Sequence, residues 1–271
     1  MALTTIGLMA LLGCFTGFMA GLLGIGGGMI ITPFLIMLIP SSLIPHDHIV
    51  HVAIATSLAT IAFTSLSSVR AHHKRGAVLW NVVASVAPGI LVGAVVGAQI
   101  AGWLPTFWLS LIFAAFVGFS AFKMFLNKSP RPDRNLPGTI GKFFMGIAIG
   151  ILSALVGAGG GFISVPWMIW CNVKMQNAVA TSAAFGFPIA LFGTIGYIIS
   201  GWNVSGLPPW PIDLGYICIP ALFSVAITSV LFAPLGAKVA HSIDTKPLKK
   251  IFACLLCFVC LYMIRQAYLA M

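Results

Sequence analysis

The sequence is poor in charged residues and contains no glutamate at all. Only 7% of its 271 residues are charged, against roughly a quarter in a soluble domain, while 60% are hydrophobic. Its four acidic residues all fall in loops or at the predicted edges of helices: Asp47, Asp133, Asp213 and Asp244. This shortage excludes a relay of intramembrane carboxylates that passes protons.

Several motifs are also missing. No nucleotide-binding motif is present, so we do not expect this chain to use ATP directly. The six cysteines lie in or beside apolar runs and form no disulfide or zinc pattern. No basic residue precedes the first apolar run, which predicts that no signal peptide is cleaved. We expect no cofactor, no metal and no enzymatic activity, because a catalytic pair inside the membrane would need titratable residues that are scarce here.

What the sequence has in abundance is long apolar segments. Each is long enough, or nearly so, to cross a hydrocarbon core, which needs about 20 residues. The segments cover residues 3–23, 49–69, 77–102, 106–126, 141–156, 176–200, 212–236 and 248–270. The sequence therefore predicts an all-α polytopic membrane protein, embedded in lipid as a multi-pass chain.

The net charge of +10 has two interpretations. A basic chain is a candidate for nucleic-acid binding, but here the Lys and Arg residues are spread over short loops and helix edges. Such residues set the topology of a membrane protein and face anionic lipid. We therefore expect contact with lipid and none with nucleic acid.

Two glycine-rich blocks show that the sequence is duplicated. The stretch GLLGIGGGMIITPF at residues 21–34 returns as GAGGGFISVPW at 157–167, with its glycines and proline at one constant separation. An Ala-Thr-Ser triplet follows each block, at residues 55–57 and 180–182. Two matched blocks in the same order predict a first repeat over 1–126, a cytoplasmic linker over 127–140 and a second repeat over 141–271.

The basic residues predict the relative orientation of the two repeats. If each glycine block is the tip of a hairpin, each repeat crosses the membrane an odd number of times and the repeats are inverted. All basic residues except Arg265 then face the cytoplasm, whereas parallel repeats would place Lys174 and the basic segment 237–250 outside. The positive-inside rule favours inverted repeats, each with a glycine-broken, re-entrant-like helix pair and three spanning helices. The length of the first segment argues against this arrangement. Residues 3–23 form about 31 Å of helix, which is too long to cross only half of a membrane.

The glycine blocks are candidate binding sites for an anion. A helix that restarts at mid-membrane presents free N–H groups and the positive end of its dipole, and glycine admits a ligand close to the backbone. The alternative is that the glycines only allow close helix packing. Duplication, with a matched proline near each restart, favours a site. Gly13, Gly17 and Gly21, and later Gly89, Gly93 and Gly97, are spaced for close packing.

The hydroxyls of the Ala-Thr-Ser triplets lie near the start of the following helix and are able to donate to an oxyanion, or to bond back to their own helix. Their equivalent positions favour a shared role. The predicted substrate-binding residues are Gly26, Gly27, Gly28, Met29, Thr56, Ser57, Gly159, Gly160, Gly161, Phe162, Thr181 and Ser182. The predicted supports of the helix breaks are Gly24, Pro33, Gly157 and Pro166.

Other polar groups are weaker candidates. The cluster PHDHIVH, with His46, Asp47, His48 and His51, contains metal-ligand types, but its spacing matches no zinc pattern and favours a solvated loop. If a proton is a coupling partner, His51 is one candidate carrier and a titratable substrate is another. Gln99 either lines a pathway or, as the default, bonds across helices.

In its glycine blocks, its Ala-Thr-Ser triplets and its basic loop, the sequence resembles the sulfite exporter TauE/SafE family of membrane permeases. The resemblance rests on GIGGGMIITP and GAGGGFISVP, on the Ala-Thr-Ser triplets, and on HHKRGAVLW, which leads into a glycine-spaced helix. The second half lacks a counterpart of HHKRG. The resemblance implies a transporter of the bacterial inner membrane for small sulfur-containing anions such as sulfite, thiosulfate or organosulfonates.

Taken together, these features predict a secondary transporter that works by alternating access between the two glycine tips. An anion channel, or a transporter of a non-sulfur anion, is the alternative, and an intramembrane enzyme is the third interpretation. The sequence does not specify the anion, the direction of transport, the coupling ion or the oligomeric state.

Overall fold

The computed structural model describes residues 3–24, 27–39, 44–126, 135–202, 204, 214–240, 242 and 246–270. The described residues form ten helices. These are α1 (Leu3–Leu23), α2 (Gly28–Leu38), α3 (Ile49–His73), α4 (Trp80–Trp103), α5 (Thr106–Leu126), α6 (Thr139–Val156), α7 (Gly161–Trp170), α8 (Met175–Gly201), α9 (Ile219–Ala240) and α10 (Lys246–Leu269).

Eight of these helices are long and apolar enough to cross a membrane, and the short helices α2 and α7 follow the two glycine blocks. The prediction of an all-α polytopic membrane protein is confirmed. The predicted segments are correct in number and differ mainly at their ends. The largest shift is in α9, which begins at Ile219 instead of 212, because Gly215 has a left-handed backbone and Pro220 suits only a first helical turn.

The helices pack mainly across the boundary between the two predicted repeats. α1 lies against α9, and α6, its counterpart in the second repeat, lies against α4, the counterpart of α9. α3 packs against its own counterpart α8, and α5 against α10. The core of the protein is therefore the interface between the two halves of the chain.

Small residues bring α1 against α9 and α4 against α6. An added Cβ on Gly17 would collide with the backbone of Ser229, and one on Gly93 with the carbonyl of Ile147. The predicted close packing is therefore confirmed at both glycine stripes. The glycines that face the opposite helix are Gly13, Gly17 and Gly21 of α1, Gly89, Gly93 and Gly97 of α4, Gly146 and Gly150 of α6, and Gly236 of α9.

The order of these contacts gives the direction of each helix. Successive glycines of α1 meet successive residues of α9, from Val225 to Ala237, so the two helices run parallel. Successive glycines of α4 likewise meet α6 from Phe143 to Ile151. α3 and α8 run antiparallel, since Ser65 lies by Gly186 and Leu58 lies by Gly193.

Tryptophans occupy both ends of the bundle. Trp80 and Trp170 lie at one end, which also carries the basic loop after α3, and Trp103, Trp108 and Trp202 lie at the other. All five are substantially exposed. Trp is enriched where a membrane meets water, so these side chains are placed as two interfacial belts on either side of an apolar band.

Candidate functional site: two glycine breaks at the interface of the halves

The two glycine blocks have the same backbone conformation. Gly24 and Gly27 have φ of 67° and 73°, and their counterparts Gly157 and Gly160 have φ of 61° and 75°. This left-handed region is open to glycine at little cost and disfavours any side chain. The repeated glycines are therefore required by the shape of each break, and Gly26 is the one predicted site residue that lies outside the described residues.

Each break opens the N-terminus of a short helix. The amides of Ile30 and Ile31 donate to Gly27 O, and those of Ile163 and Ser164 donate to Gly160 O. The first-turn amides before them, at Gly28, Met29, Gly161 and Phe162, have no acceptor within an α-helix. Gly27 and Gly160 have no side chain that could cap these donors, so neither N-terminus has a side-chain cap from its own N-cap residue.

The two breaks touch each other in the buried core. A Cβ on Gly28 would collide with the carbonyl oxygen of Gly157, and both residues are buried. The Met29 side chain is buried nearby, while Phe162 is half-buried against the ring of Phe116, with 4.1 Å between their centroids. The structure thus brings together the glycines that the sequence places far apart.

The first helix runs to the end of the bundle where α3 ends. α1 is continuous to Leu23, and the Nε2 atom of His72, near the C-terminal end of α3, lies 3.1 Å from Gly21 O. α2 begins at Gly28, where an added Cβ would lie 2.7 Å from the side chain of Ile61, an earlier residue of α3. The first helix is therefore longer than half of the bundle, and α2 begins part-way along α3.

The serines of the Ala-Thr-Ser triplets join the two breaks. Ser57 donates to Gly157 O at 3.1 Å, and Ser182 donates to Gly24 O at 3.0 Å, so each serine holds the break of the other repeat. Ser164 donates in turn to Ser182 at 2.8 Å. A hydroxyl carries a single hydrogen, so Ser57 and Ser182 are committed to these carbonyls in this conformation.

The threonines of the triplets have a different role. Thr56 accepts the amide of Cys218 at 2.9 Å, and Thr181 accepts the amide of Leu79 at 3.0 Å. Cys218 and Leu79 directly precede α9 and α4, which are equivalent helices of the two repeats. Each threonine therefore satisfies a free donor at the start of a helix in the opposite repeat.

Removing both serine hydroxyls tests this cross-link. We expect Ser57→Ala with Ser182→Ala to lower the free energy of unfolding by about 1–3 kcal/mol, because two buried carbonyls lose their donors. Thermal unfolding in detergent measures the change, with Ser85→Ala as the control, because the Ser85 hydroxyl donates only to Asn81 O of its own helix. An unfolding temperature equal to that of the control would contradict the cross-link.

Three buried hydroxyls near the breaks have no hydrogen-bond partner among the described residues. They belong to Thr32, Ser68 and Ser153. The Thr32 oxygen lies 3.0 Å from the position of a Cβ on Gly157, and that of Ser153 lies 3.1 Å from one on Gly160. An unsatisfied buried hydroxyl is uncommon, and several around one site favour a polar ligand there. None of the three was predictable from the sequence, because a single Ser or Thr in an apolar run carries no periodic signal.

The two prolines lie deeper in their helices than predicted. Pro33 and Pro166 fall in the second turn of α2 and α7, not in the first. Each removes the amide that would bond the carbonyl four residues earlier, at Met29 or Phe162. The first turn of each short helix is therefore held by fewer internal hydrogen bonds than usual.

The remaining polar candidates have structural partners. The Nε2 atom of His51 lies 3.0 Å from both Ala101 O and Leu104 O, two carbonyls at the end of α4. Gln99 donates to Gly196 O at 3.0 Å, which confirms the predicted bond across helices. The described residues include no group of His, Cys, Asp or Glu arranged to hold a metal ion.

The basic loop also contacts the opposite half. Arg75 donates from its guanidinium to Ala237 O in the last turn of α9, where a cation complements the helix dipole. A role in capping one particular helix does not require a second copy, which explains how the second half can lack HHKRG.

The fold is that of a multi-pass integral membrane protein with two broken helices meeting in its core. The family model described as Sulfite exporter TauE/SafE matches residues 9–263. The chain therefore belongs to the TauE/SafE family, and its expected membership is confirmed.

Curated relatives agree with this assignment. A probable membrane transporter protein of Haemophilus influenzae is 34% identical over 96% of this chain and 98% of its own length. One from Methanocaldococcus jannaschii is 27% identical over 95% of this chain and 94% of its own, and one from Bacillus subtilis is 30% identical over 69% and 76%. No solved structure matches the chain. The protein is a membrane transporter.

Proposed function

We propose that this protein carries small sulfur-containing anions, such as sulfite, thiosulfate or an organosulfonate, as a secondary transporter. The observation that carries the proposal is the contact between the two glycine breaks, where Gly28 lies against Gly157 O, in a buried core that also holds hydroxyls without a partner among the described residues. None of the ten helices contains an acidic residue. Dipoles and neutral donors without carboxylates favour an anion and disfavour a cation.

The substrate-binding role belongs to the glycine breaks and their triplets: Gly26, Gly27, Gly28, Met29, Thr56, Ser57, Gly159, Gly160, Gly161, Phe162, Thr181 and Ser182. Ser57 and Ser182 donate to backbone carbonyls in the conformation described. To bind an anion, these two hydroxyls must release the backbone carbonyls and donate to the substrate instead. Breaking the cross-links between the repeats is then part of opening the site, which couples binding to the motion of one half against the other.

The proposal includes two inverted repeats, 1–126 and 141–271, with the linker 127–140 in the cytoplasm. Helix directions support inversion. α1 is parallel to α9, and α9 is parallel to α3, since Thr56 lies by Cys218 and Ser67 by Val230. α3 is antiparallel to α8, which is parallel to α4 and hence to α6. α1 and α6 therefore run in opposite directions. An inverted pair around a central site is the arrangement from which alternating access follows.

Thiol labelling at the two ends of α8 tests the orientation. In a cysteine-free background, a membrane-impermeant reagent added outside intact cells is expected to miss Lys174→Cys and to reach Trp202→Cys. Lys174 precedes α8 and Trp202 follows it, so the pair reports on opposite faces. Labelling of Lys174→Cys but not of Trp202→Cys would contradict the predicted orientation of the protein in the membrane.

Flux measurements test the substrate class. Proteoliposomes containing the purified protein are supplied with sulfite, thiosulfate, a sulfonate, sulfate or an organic cation. We expect saturable flux of sulfite, thiosulfate or the sulfonate and none of the cation. Flux of the cation alone would contradict the proposal, and flux of sulfate alone would contradict the proposed choice of anion.

Coupling to protons is measured in the same vesicles. His51 and a titratable substrate are the two candidate proton carriers. His51 bonds the end of α4, which favours a structural role for it, so we expect any proton dependence to survive His51→Gln.

An anion channel differs in showing flux that does not saturate, and an intramembrane enzyme differs in converting its substrate chemically.

A further inference from the structure

A small pocket lies beside the glycine breaks. Among its lining residues are Gly24, Ser65, Ser68, Gly159, Ala183 and Gly186, which come from both repeats. The pocket has room for about one water molecule. It lies toward the end of α3 that continues into the basic loop, because Ser68 is one turn before His72.

Ser68 gives this pocket an unused donor. Its side chain is 2% exposed, and its hydroxyl has no hydrogen-bond partner among the described residues. The neighbouring Ser65 instead donates to Ala62 O in its own helix. A buried hydroxyl without a partner among the described residues is available to a hydrogen-bond acceptor that enters the pocket.

Larger side chains stand at the equivalent positions of the other repeat. Leu58 and Ile61 correspond to Ala183 and Gly186. The Leu58 Cδ1 atom lies 3.0 Å from the position of a Cβ on Gly193, which is the counterpart of Ser68. The Ile61 Cδ1 atom lies 2.7 Å from the position of a Cβ on Gly28. Among the described residues, the two repeats therefore share the broken helices but differ in the size of the side chains beside them.

We propose that this pocket is an off-centre subsite for one oxygen of the transported oxyanion, with Ser68 as its side-chain donor. The proposal deepens the function proposed above and rests on it. An oxyanion presents oxygen acceptors, and the pocket offers a hydroxyl donor beside the glycines of both breaks. In the conformation described it holds no more than a single oxygen, so the rest of the anion enters only after the breaks separate. The position of Ser68 near the end of α3 places this subsite toward the basic loop.

The concentration dependence of thiosulfate flux tests the role of Ser68. In proteoliposomes containing the full chain, we expect Ser68→Ala to raise the KM for thiosulfate about tenfold, since one hydrogen bond to a charged ligand is lost. Ser67→Ala is the matched control, because Ser67 is the adjacent serine and donates to Val230 O on α9 instead. A KM for Ser68→Ala equal to that of Ser67→Ala would overturn the assignment.

Filling the pocket gives an independent test. A Cβ on Gly186 would lie 3.2 Å from Ser65 Cβ and 3.8 Å from Gly159 O, so Gly186→Ala narrows the pocket without striking the backbone. Gly193→Ala adds the same methyl group two turns along α8, against the flexible side chain of Leu58. We expect Gly186→Ala to raise the KM at least tenfold and Gly193→Ala to leave it within about twofold of wild type. Equal values for the two variants would overturn the subsite.

These outcomes separate the subsite from the wider function. If the wild-type protein carries none of the anions tested, the proposed function fails. If it carries thiosulfate, or another sulfur anion used in its place, and both Ser68→Ala and Gly186→Ala behave as their controls do, only the subsite fails.

Discussion

Gly27→Val and Gly160→Val are each expected to abolish anion flux while leaving the protein inserted in the membrane. Both glycines cap a short helix with a left-handed backbone, at φ of 73° and 75°. A β-branched residue there costs about 1–3 kcal/mol. We expect the backbone to relieve this strain by changing φ and ψ at the substituted residue. That change would redirect the first amides of α2 or α7 away from the site.

Crowding adds to the strain at both positions. A Cβ on Gly27 would lie 2.9 Å from Thr16 O, and one on Gly160 would lie 2.6 Å from Ile189 Cδ1. The long helices do not depend on these two contacts, so the variants are expected in the membrane fraction at near-normal amounts. Flux in proteoliposomes, divided by the amount of inserted protein, measures the effect.

Gly76→Val is the matched control for backbone strain. Gly76 also has a left-handed backbone, with φ of 64°, but an added Cβ meets no atom within 4 Å. It lies in the loop after α3, far along the chain from either break. We expect this variant to retain most of its flux. Unchanged flux in both Gly27→Val and Gly160→Val would refute a site at the breaks.

Gly17→Leu and Gly93→Leu are expected to destabilise the folded protein strongly. Both glycines face the backbone of a helix from the other half, so a side chain forces the helices apart. Overpacking of a core by a few carbons costs about 1–3 kcal/mol, and a collision with rigid backbone lies at the upper end of that range or beyond it. Thermal unfolding in detergent is expected to show a large drop in Tm for each.

Gly7→Leu provides the comparison within α1. Gly7 is exposed, and an added Cβ there has no neighbour within 4 Å. The same substitution at Gly7 should leave the Tm within about a degree of wild type, as expected for a surface change. If Gly17→Leu unfolds at the same temperature as Gly7→Leu, the close packing of α1 on α9 is not a stabilising contact.

The long helices and the breaks were predictable from the sequence for simple physical reasons. Apolar runs of membrane length predict spanning helices, and glycines repeated with their spacing intact predict a backbone conformation used twice. Gly24 and Gly157 confirm the second prediction, since their φ values agree within a few degrees. The inverted orientation of the two repeats stays a prediction from the basic residues, which report topology independently of packing.

The hydrogen-bond partners of the triplets were not predictable. Ser57 and Gly157 are far apart in sequence, as are Thr56 and Cys218, and they meet only because α3 packs between helices of the other half. From the sequence, the triplet hydroxyls were expected to bond either a ligand or their own helix. In this conformation they bond backbone groups of the other repeat instead. The pocket at Ser68 was equally hidden, because it depends on the difference between Gly186 in one repeat and Ile61 in the other.

Counterflow tests the central claim, alternating access of an anion between the two breaks, most directly. Proteoliposomes are loaded with unlabelled thiosulfate or sulfite and diluted into a trace of the labelled anion. We predict a transient rise of labelled anion inside the vesicles above its equilibrium level, abolished by Gly27→Val and preserved by Gly76→Val. Labelled anion that only approaches equilibrium, at a rate proportional to its concentration and without stimulation by internal anion, would indicate a channel and contradict the claim.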